Sequence, residues 1–488
     1  DPCPPLVWAN PPGRDRMFRK RDTHIHFVGI GGIGMSGIAE VLLNVGYRVT
    51  GTDLAETEIT RRLAGLGASL HRGHDANHLG DADVVVVSSA VRPDNPEVAA
   101  ARLRKIPVIP RAEMLGELMR LKQGLLIAGS HGKTTTTSLV AAVLHEAGLD
   151  PTMVIGGKVN SFDSNARLGY GDLFVAEADE SDGSFLVLSP THAIITNIDV
   201  EHLDHYGTLD KLLDAFVGFA NRVPFYGMVA VCVDDANIRA ILPRLIKRTI
   251  TYAIDEPADY QAEVLAIGGG QTRFRVLAHG EDQGEFVIAM PGRHNVRNAL
   301  ATIALCDEAG VSPEVTRKAL REFAGVQRRF TLRGVVDDIA VVDDYGHHPT
   351  ELRATLSAAR EAYPERRVIA VFQPHRFTRV RNHMVDFAAS LDEADLVVLT
   401  PIYAAGEPPI AGIDSPHLAE LARARKPDRE LHVIGEPGEV VATTIASLLE
   451  RVQPGDLVLT LGAGSITKVS YGLVEALRER ASLGRAVS

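Results

Sequence analysis

Apolar and polar positions alternate in two patterns from about residue 23 to the end of the chain. Short runs rich in β-branched residues, such as "HIHFVGI", "YRVTGTD" and "DVVVVSSA", predict buried strands. The runs between them place apolar residues three or four positions apart, which is typical of amphipathic helices; Leu139, Val140, Val143 and Leu144 form one such face. Strands alternating with helices predict an α/β protein with mostly parallel sheets.

The chain has 488 residues, too many for one ordinary core, so we expect several domains. The pattern predicts a first unit over 23–121, a central unit over 122–328 and a third unit over 329–488. In the third unit five apolar runs predict strands: "IAVVDDY", "RVIAVFQ", "DLVVLT", "LHVIG" and "DLVLTLGAG". Turn signals between β runs predict a small antiparallel hairpin region late in the central unit. The segment "DPCPPLVWANPPGRDR" is Pro-rich and lacks the apolar core of a signal peptide, so we expect residues 1–22 to be a leader that is disordered or foreign to the natural protein, with Met17 as the natural start.

Composition narrows the class of protein. Apolar residues make up 45% and charged residues 23%, which is ordinary for a soluble globular protein, and no apolar run is long enough to span a bilayer. Cys3, Cys232 and Cys306 are too widely spaced for a disulfide framework or a zinc motif. The net charge of −11 argues against nonspecific nucleic-acid binding. We therefore expect a cytoplasmic enzyme that binds neither nucleic acid nor membrane.

A first glycine loop, "GIGGIG", follows the first predicted strand. Gly29, Gly31 and Gly34 have the G-x-G-x-x-G spacing that lets a backbone approach a pyrophosphate at a helix N-terminus. Asp53 ends the next strand, where an acid commonly contacts a ribose. The motif specifies only a diphosphate and a sugar, so NAD, a UDP-sugar and a tight turn that binds nothing all remain open.

A second glycine loop, "AGSHGKTTTT", lies between a predicted strand and a predicted helix. The backbone amides from Gly129 to Gly132 are expected to face phosphate oxygens, with Lys133 at the β/γ bridge and the Thr134 hydroxyl on Mg²⁺. Ile127 stands at or near the place of the usual first glycine, so this loop is shorter than the common P-loop. Strand, loop and helix together predict a nucleoside triphosphate site.

Carboxylates and histidines cluster after two later strands. "LFVAEADESDGSF" carries four acids, of which Glu177 is nearest the strand and is the expected metal ligand; Asp182 fits a solvated turn better. "TNIDVEHLDHYG" carries His202, which as an imidazole is an unusual ligand for Mg²⁺. In "GRHNVRNAL", Asn295 and Asn298 can bind the edge of an adenine, although helix capping is the ordinary interpretation for Asn295.

The third unit has two polar turns, "DDYGHHP" and "FQPHRFTR", each directly after a predicted strand. Arg376 and Arg379 lie one helical turn apart, so we expect both guanidinium groups on one face. Arginine forks suit carboxylates and phosphates, whereas the alternative is an exposed basic turn.

These motifs, together with "GIGGIGMSG", "GSHGKTTT" and "RRF", occur in one order from about residue 24 to the end, and the chain resembles the Mur ligase family. The resemblance implies an ATP-dependent ligase of peptidoglycan synthesis with a Rossmann-like UDP-binding domain, a P-loop ATPase domain and a Rossmann-like third domain for the amino acid. The first glycine loop would then bind UDP-N-acetylmuramate, not NAD, and the second would bind ATP. The sequences "DDYGHHP" and "FQPHRFTR" resemble those of the branch that adds L-alanine.

The resemblance also implies roles for individual residues. Lys133, Glu177 and His202 would be catalytic, and Mg²⁺, for which Mn²⁺ can substitute, would be held by Thr134, Glu177 and His202. ATP would contact Gly129, Ser130, His131, Gly132, Lys133, Thr134, Thr135, Asn295, Arg328, Asp344 and Tyr345. The UDP-sugar would contact Gly31, Gly32, Ile33, Gly34, Asp53 and Ser89. The amino acid or product would contact His347, Arg376 and Arg379.

Two departures and three alternatives accompany the resemblance. Ser130 stands where the family usually has Thr, and "AFVGFANRVPFYG" lacks the lysine that later ligases carbamylate, as in the alanine-adding branch. A recycling ligase that attaches a tripeptide to the same sugar nucleotide is the nearest alternative. An NAD-linked oxidoreductase would leave the second glycine loop unexplained, and a nucleotide-regulated binding module would lack turnover. We expect a monomer or a weak homodimer.

Overall fold

The computed structural model of the protein describes residues 23–88, 90–120, 122–159, 164–435 and 439–487. The expected leader, residues 1–22, and the expected UDP-sugar residue Ser89 therefore lie outside the described residues. Within the described ranges, no helix is both long enough and apolar enough to cross a membrane. The strands form three sheets, and each sheet lies within one of the three units expected from the sequence.

The first sheet is wholly parallel, with strand order β3-β2-β1-β4-β5. Val28 pairs with Thr52, so the first glycine loop and Asp53 lie at the same sheet edge. This arrangement confirms the Rossmann-like interpretation. Its elements are β1 (His24–Val28), α1 (Ile33–Val45), β2 (Arg48–Asp53), α2 (Glu58–Gly65), β3 (Ser69–Arg72), β4 (Val84–Val87), α3 (Pro96–Leu103), β5 (Val108–Pro110) and α4 (Arg111–Met119).

The central sheet has ten strands in the order β15-β14-β13-β12-β11-β10-β6-β9-β7-β8, and its middle is parallel. Ile127 pairs with Glu177 and Ala128 with Ile195, so the segments after three strands meet at the second glycine loop. The elements are β6 (Gln123–Ala128), α5 (Lys133–Glu146), β7 (Thr152–Val159), β8 (Ser164–Arg167), β9 (Leu173–Glu177), β10 (His192–Ile195), α6 (Leu203–Tyr206), α7 (Leu209–Ala220), β11 (Val229–Cys232), α8 (Ala236–Ile241), β12 (Thr249–Ala253), β13 (Tyr260–Gly268), β14 (Gln271–Ala278), β15 (Glu281–Ile288), α9 (Arg293–Glu308) and α10 (Pro313–Glu322).

The predicted hairpin region is confirmed, because β13, β14 and β15 form an antiparallel meander at one edge of the central sheet. Gly269 and Gly270 form the first turn with positive φ angles of 59° and 77°. Residues in β14 alternate between exposed and buried, so this part of the sheet has one solvated face. Three short 3₁₀ segments complete the first two units at Ala76–Leu79, Ser184–Val187 and Leu242–Arg244.

The third sheet has the order β16-β17-β21-β18-β19-β20 and is parallel except for the β16–β17 pair. All five strands expected from apolar runs after residue 338 are present, whereas β16 was not separately predicted. Asp344 and Phe372 both pair with Leu461, so the two polar turns follow neighbouring strand ends. The elements are β16 (Thr331–Val336), β17 (Ile339–Asp344), α11 (Pro349–Ala362), β18 (Arg367–Phe372), α12 (Phe377–Ser390), β19 (Leu396–Leu399), α13 (Ser415–Arg425), β20 (Glu430–Val433), α14 (Val440–Leu449), β21 (Asp456–Leu461) and α15 (Thr467–Val487).

The first and central units share one apolar core, whereas the third has separate cores on the two faces of its sheet. Gly37 of α1 shows the shared packing, since a Cβ there would lie 3.2 Å from the Cβ of Ala166 and 3.4 Å from a methyl of Val154. Units that share a core move together, and a unit with its own core can move as a body. The third unit is therefore the part best able to change position.

Candidate active site

The second glycine loop has a shape that only glycine permits at two positions. Gly129 has φ of +126°, and a Cβ there would lie 2.1 Å from the Thr196 hydroxyl. Gly132 has φ of +83°, and a Cβ there would lie 2.6 Å from Oδ1 of Asn298. Lys133 begins α5 immediately after the loop, so the free N–H groups of the first helical turn face the loop. This geometry suits an anion.

Lys133 is held inside the loop by backbone and carboxylate oxygens. Its Nζ lies 2.5 Å from the carbonyl oxygen of Gly129 and 2.8 Å from Oε2 of Glu180. Burial alone lowers the pKa of the ammonium, but the charges of Glu180, Asp179 and Glu177, together with the hydrogen bond to Glu180, outweigh that effect and raise it. Burial raises the pKa of the Glu180 carboxyl, and Lys133 opposes this. Glu180 is almost fully buried, so the pair forms a desolvated ion pair at the expected phosphate position.

Two amides expected to face phosphate have an internal acceptor instead. The N–H of Ser130 donates to the backbone oxygen of Asn197 at 3.0 Å, and the N–H of His131 donates to its side-chain oxygen at 2.9 Å. The expectation that all amides from Gly129 to Gly132 are open is therefore wrong for two of them. Asn197 follows β10, and its side chain closes the loop from the neighbouring strand end.

A cavity of about 490 Å³ opens on one side of the second glycine loop. His131, Gly132 and Thr135 line its loop end, and Asn295 and Asn298 line another wall. Asn295 does not cap α9, because Gly292 occupies the N-cap; its side-chain nitrogen donates to the oxygen of Pro291 at 2.8 Å. The third unit completes the cavity with Phe330, Asp344, Thr350, Glu351, Ala354 and Thr355. Its size and mixed lining suit a nucleoside.

A second cavity of about 440 Å³ lies beside the end of the same loop, where all three units meet, and it shares Arg329 with the first cavity. Thr134 lines it, whereas the next residue, Thr135, lines the first cavity. The remaining lining comes from the first unit (Ile33, Glu58, Ile59, Arg62), the central unit (Gly156, Gly157, Asn165) and the region where the third unit begins (Gln327, Arg328, Arg329, Tyr345). The loop therefore connects two adjacent chambers.

Glu177 lies beside Gly156, at the edge of the second cavity. Its Oε1 accepts the N–H of Gly156 at 2.6 Å, and the Thr134 side chain is near enough to lower the pKa of its carboxyl. Burial raises the pKa of Glu177, although the Gly156 N–H and Lys133 oppose that shift. A hydroxyl and a buried carboxylate are oxygen donors of the kind Mg²⁺ takes, and a cation would offset the burial of the charge. The residues present therefore fit the expected metal.

His202 has a strained backbone conformation and lies beside two glutamates. Its φ is +58°, and it is the N-cap of the short helix α6. Its Nε2 lies 3.3 Å from Oε2 of Glu201 and 3.8 Å from Oε1 of Glu180. His202 thus reaches the Lys133–Glu180 pair, and the expected metal role remains a prediction.

An interdomain cluster joins the second glycine loop to the third unit. Nε2 of His131 lies 3.0 Å from Asp199, and its Nδ1 lies 3.4 Å from Glu351 of α11. Burial alone lowers the pKa of His131, but the hydrogen bonds to Asp199 and Glu351 raise it to about 10. The Thr350 hydroxyl also donates to Asp199 at 2.6 Å. Closure of the third unit is therefore linked to the loop through polar contacts.

The first glycine loop is already bonded to Asp53. The N–H of Gly31 donates to Oδ2 of Asp53 at 2.8 Å, so this acid binds the loop instead of being free for a ribose. A Cβ at Gly34 would lie 2.5 Å from a guanidinium nitrogen of Arg111, which places a cation at the start of α1. Gly32 is the N-cap of α1 and Ile33 is half exposed, so both can face a ligand. Arg111 thus adds a positive group beside this loop, and its Nη2 also lies 3.5 Å from Oδ2 of Asp179.

Two arginines bracket Tyr345. The guanidinium carbons of Arg328 and Arg329 lie 4.8 and 5.2 Å from its ring centroid. Arg328 also bonds the backbone oxygen of Gly462, whereas Arg329 lines both cavities. Asp344 is buried and accepts the N–H groups of Phe330 and Gly346, each at 2.7 Å. Burial raises the pKa of Asp344, opposed mainly by the charge of Arg329.

The predicted amino-acid residues lie together, with one correction. His347 and His375 have ring centroids 5.8 Å apart, and Nη1 of Arg379 lies 3.4 Å from Nδ1 of His375. Arg376 has φ of +67° and is the N-cap of α12, so the same-helix-face argument is wrong for it. Arg376 is exposed, and its backbone N–H donates to the oxygen of Tyr403. Burial lowers the pKa of His347 to about 4.

Sequence reasoning missed four residues that the structure places at the site. Glu180 lay in the recognised acid run, and Arg329 adjoins the residue chosen in "RRF", so both had a signal in the sequence. Glu351 follows the "DDYGHHP" turn by two residues, whereas Arg111 had no signal because its segment carries no motif. The roles proposed for the other site residues stay predictions.

Family models match along most of the chain. The model of the Mur ligase family catalytic domain matches residues 24–123, that of the Mur ligase middle domain matches 127–306, and that of the Mur ligase glutamate ligase domain matches 328–464. The three matches occur in the order of the three sheets.

Individual relatives extend the similarity to nearly full length. The UDP-N-acetylmuramate–L-alanine ligase of Anaeromyxobacter dehalogenans is 58% identical over 464 residues, covering 95% of this chain and 100% of the relative. That of Myxococcus xanthus is 57% identical, covering 95% and 97%. The solved UDP-N-acetylmuramate–alanine ligase of Thermotoga maritima is 32% identical with a TM-score of 0.78, covering 94% and 99%. A murein peptide ligase of Psychrobacter arcticus is 26% identical with a TM-score of 0.69, covering 93% and 98%.

Proposed function

The chain belongs to the Mur ligase family, and from that premise we propose that it joins L-alanine to the lactyl carboxylate of UDP-N-acetylmuramate with hydrolysis of ATP. The observation that carries this proposal is the position of the second glycine loop between two chambers. One chamber suits the nucleoside of ATP, and the other receives residues from all three units, as an acceptor site for a sugar nucleotide and an amino acid requires.

The chemistry explains why two phosphate-binding loops are needed. A carboxylate resists attack by an amine because its oxygen is a poor leaving group. Transfer of the γ-phosphoryl group of ATP to a carboxylate oxygen gives an acyl phosphate and ADP. The neutral amine of alanine then attacks the acyl carbon, a tetrahedral intermediate forms, and its collapse releases inorganic phosphate and the amide, with loss of one proton from nitrogen.

The residues of the second glycine loop fit the first step. Phosphoryl transfer depends mainly on positioning and charge neutralisation, which Lys133 and the first turn of α5 would supply. Lys133 is paired with Glu180, so nucleotide phosphates would compete with that carboxylate for the ammonium. Thr134 and Glu177 would hold Mg²⁺, which neutralises phosphate charge when it is bound. His202 would act beside Glu180 and Glu201.

The third unit fits the amino-acid end of the reaction. The carboxylate of alanine stays charged while its amine must be neutral, so the site needs an anchor for the former and no strong acid near the latter. Arg379 and Arg376 would supply the anchor, and His347, whose pKa is lowered by burial, stays neutral near pH 7. We further propose that the protein works in the cytoplasm as a monomer or weak homodimer.

Phosphate release across a panel of amino acids tests this function. Release should require ATP, Mg²⁺, UDP-N-acetylmuramate and L-alanine together, and the product should gain the mass of one alanine residue. A recycling ligase would instead release phosphate with a tripeptide and not with alanine. An oxidoreductase would release none, and a binding module would show no dependence on the co-substrate. Any of these three outcomes contradicts the proposal.

A further inference from the structure

The interdomain cluster contains a second group of possible metal ligands. His131 comes from the second glycine loop, Glu201 from the segment after β10, and His348 from the N-cap of α11. One ligand atom from each lies within 4.8 Å of the other two. Oε1 of Glu201 is 3.3 Å from Nδ1 of His348 and 3.8 Å from Nε2 of His131. Two imidazoles and a carboxylate from two units thus converge on one point.

The hydrogen bonding of His348 leaves a lone pair directed into this cluster. Its Nδ1 accepts the N–H of Thr350 at 3.4 Å, which requires that nitrogen to be unprotonated. The same nitrogen lies 3.3 Å from Glu201 and 3.5 Å from Asp199, so unprotonated acceptors face one another without a hydrogen between them. His348 is 96% buried, and its other ring nitrogen has no hydrogen-bond partner among the described residues. A cation between these atoms would relieve the repulsion.

The charges of the surrounding groups point the same way. Three carboxylates, those of Asp199, Glu201 and Glu351, lie within 4 Å of His131. Among the described residues, the arginine paired with this group is Arg329, whose Nη1 is 3.9 Å from Glu351. The imidazolium of His131, whose pKa these carboxylates raise, and Arg329 offset two of the three charges, so the partly buried cluster keeps one uncompensated negative charge, which is costly. A metal ion bound through His131 would displace its proton.

We propose that His131, Glu201 and His348 bind a divalent transition-metal ion of the Zn²⁺ type, which joins the second glycine loop to the third unit. Imidazole nitrogen and carboxylate oxygen are ligands that Zn²⁺ accepts, whereas Mg²⁺ prefers oxygen alone. Asp199 is placed to complete four ligands, because its Oδ2 is 3.0 Å from His131 and 3.5 Å from His348. Binding holds the third unit closed over the nucleoside cavity.

This site differs from the one expected at Thr134 and Glu177. Glu177 accepts the N–H of Gly156, which lines the second cavity, whereas His131 and Glu351 line the first cavity. Glu201 separates the two regions, since its Oε2 faces His202 while its Oε1 faces His131 and His348. The inference does not rest on the ligase reaction, and failure of either proposal leaves the other standing.

Titration of the metal-free full-length protein with Co²⁺ alone, without nucleotide, tests the site. Visible d–d absorption reports nitrogen ligands, and competition with Zn²⁺ gives the affinity. His348→Asn removes an imidazole but keeps a good N-cap acceptor for α11. Glu201→Gln removes the charge and keeps the shape. Glu177→Gln removes the expected Mg²⁺ ligand, and His417→Asn removes a partly exposed histidine of the third unit as a matched control.

We expect one tight Co²⁺ site per chain in the parent, in Glu177→Gln and in His417→Asn, with affinity about 100-fold weaker or worse in His348→Asn and Glu201→Gln. Small-angle scattering should show a smaller radius of gyration with Zn²⁺ in the parent and no change in His348→Asn. Circular dichroism checks the folding of each variant. If His348→Asn is misfolded, the affinity of Glu201→Gln decides the test. Equal affinity in the parent and in both ligand variants, or loss of the site only in Glu177→Gln, overturns the proposal.

Discussion

The two glycine loops follow the same local plan but differ in which segment supplies their positive charge. Each connects a parallel strand to a helix, and each binds one acid from a neighbouring segment. In the first loop Asp53 accepts a backbone N–H, and the cation Arg111 comes from outside the loop. In the second loop the cation is the loop's own Lys133, paired with Glu180. The positive charge at the first loop thus comes from another segment, whereas the second loop has its own.

This difference has a functional consequence. In the proposed function, the loop with its own partly buried lysine would hold the phosphates at which bonds break, because the charge is fixed relative to the helix. The loop that relies on an arginine from α4 would hold a diphosphate that only anchors its substrate. The same fingerprint therefore supports binding in one place and chemistry in another.

Removal of the lysine should have the largest effect. Lys133→Met should lower kcat by about 1000-fold or more, because the charge on the transferring phosphoryl group loses its fixed cation. The affinity for UDP-N-acetylmuramate should stay within about twofold by calorimetry, since the other loop is intact. The single variant leaves Glu180 buried without its partner, so Lys133→Met with Glu180→Gln is the folding control. Loss of sugar-nucleotide binding in this folded double variant would refute separate sites.

Removal of Arg111 from the first loop should have the next largest effect, on the affinity for the sugar nucleotide. Arg111→Met should weaken binding of UDP-N-acetylmuramate by about 10- to 100-fold, as expected for a charged hydrogen bond, and should leave the affinity for an ATP analogue unchanged. Arg120→Met, at the exposed end of the same helix region, is the matched control. Calorimetric titration measures both affinities. An Arg111 variant that binds the sugar nucleotide like the parent would show that the first loop needs no added cation.

His294, which lines the first cavity beside the second glycine loop, should affect the free energy of unfolding at acid pH. Burial, with help from Arg297 and Arg329, lowers the pKa of His294 from 6.5 to about 4. The unfolded chain therefore binds more protons between these values, and the free energy of unfolding falls as the pH drops through that window. The loss should be roughly 2–3 kcal/mol at pH 4. His294→Asn should abolish that part of the loss in urea unfolding, whereas His279→Asn, at an exposed turn, should not; parallel pH curves for both variants would contradict the assignment.

The last prediction is that one ligand does not bind. NADH should not bind to the first loop at micromolar concentration, because Asp53 is bonded to the N–H of Gly31 and adds negative charge where a pyrophosphate would lie. Fluorescence titration of NADH measures this directly. A micromolar complex that UDP-N-acetylmuramate displaces would revive the oxidoreductase alternative.

Much of the fold was predictable because its signals are local. Strand runs in the third unit predicted β17 to β21, and turn signals predicted the meander from β13 to β15. The loop glycines and Lys133 were likewise identified by spacing along one segment. These features require no knowledge of which distant segments meet.

The rest of the site depends on contacts between distant segments, which a single sequence does not specify. Arg111 reaches the first loop from α4, and Glu351 reaches His131 across a domain boundary. Asn197 occupies two loop amides because β10 lies beside β6. Arg376 departs from the predicted helix face because its backbone adopts a positive φ before α12 begins. Each difference arises from tertiary geometry.

The most direct test of the whole account asks if both loops can be filled at once. UDP-N-acetylmuramate is titrated into the protein by calorimetry, first alone and then with a saturating nonhydrolysable ATP analogue and Mg²⁺. We predict one sugar nucleotide bound per chain in both titrations, and one analogue bound per chain in the reverse order. If the analogue instead prevents sugar-nucleotide binding, the two loops serve a single site and the account is contradicted.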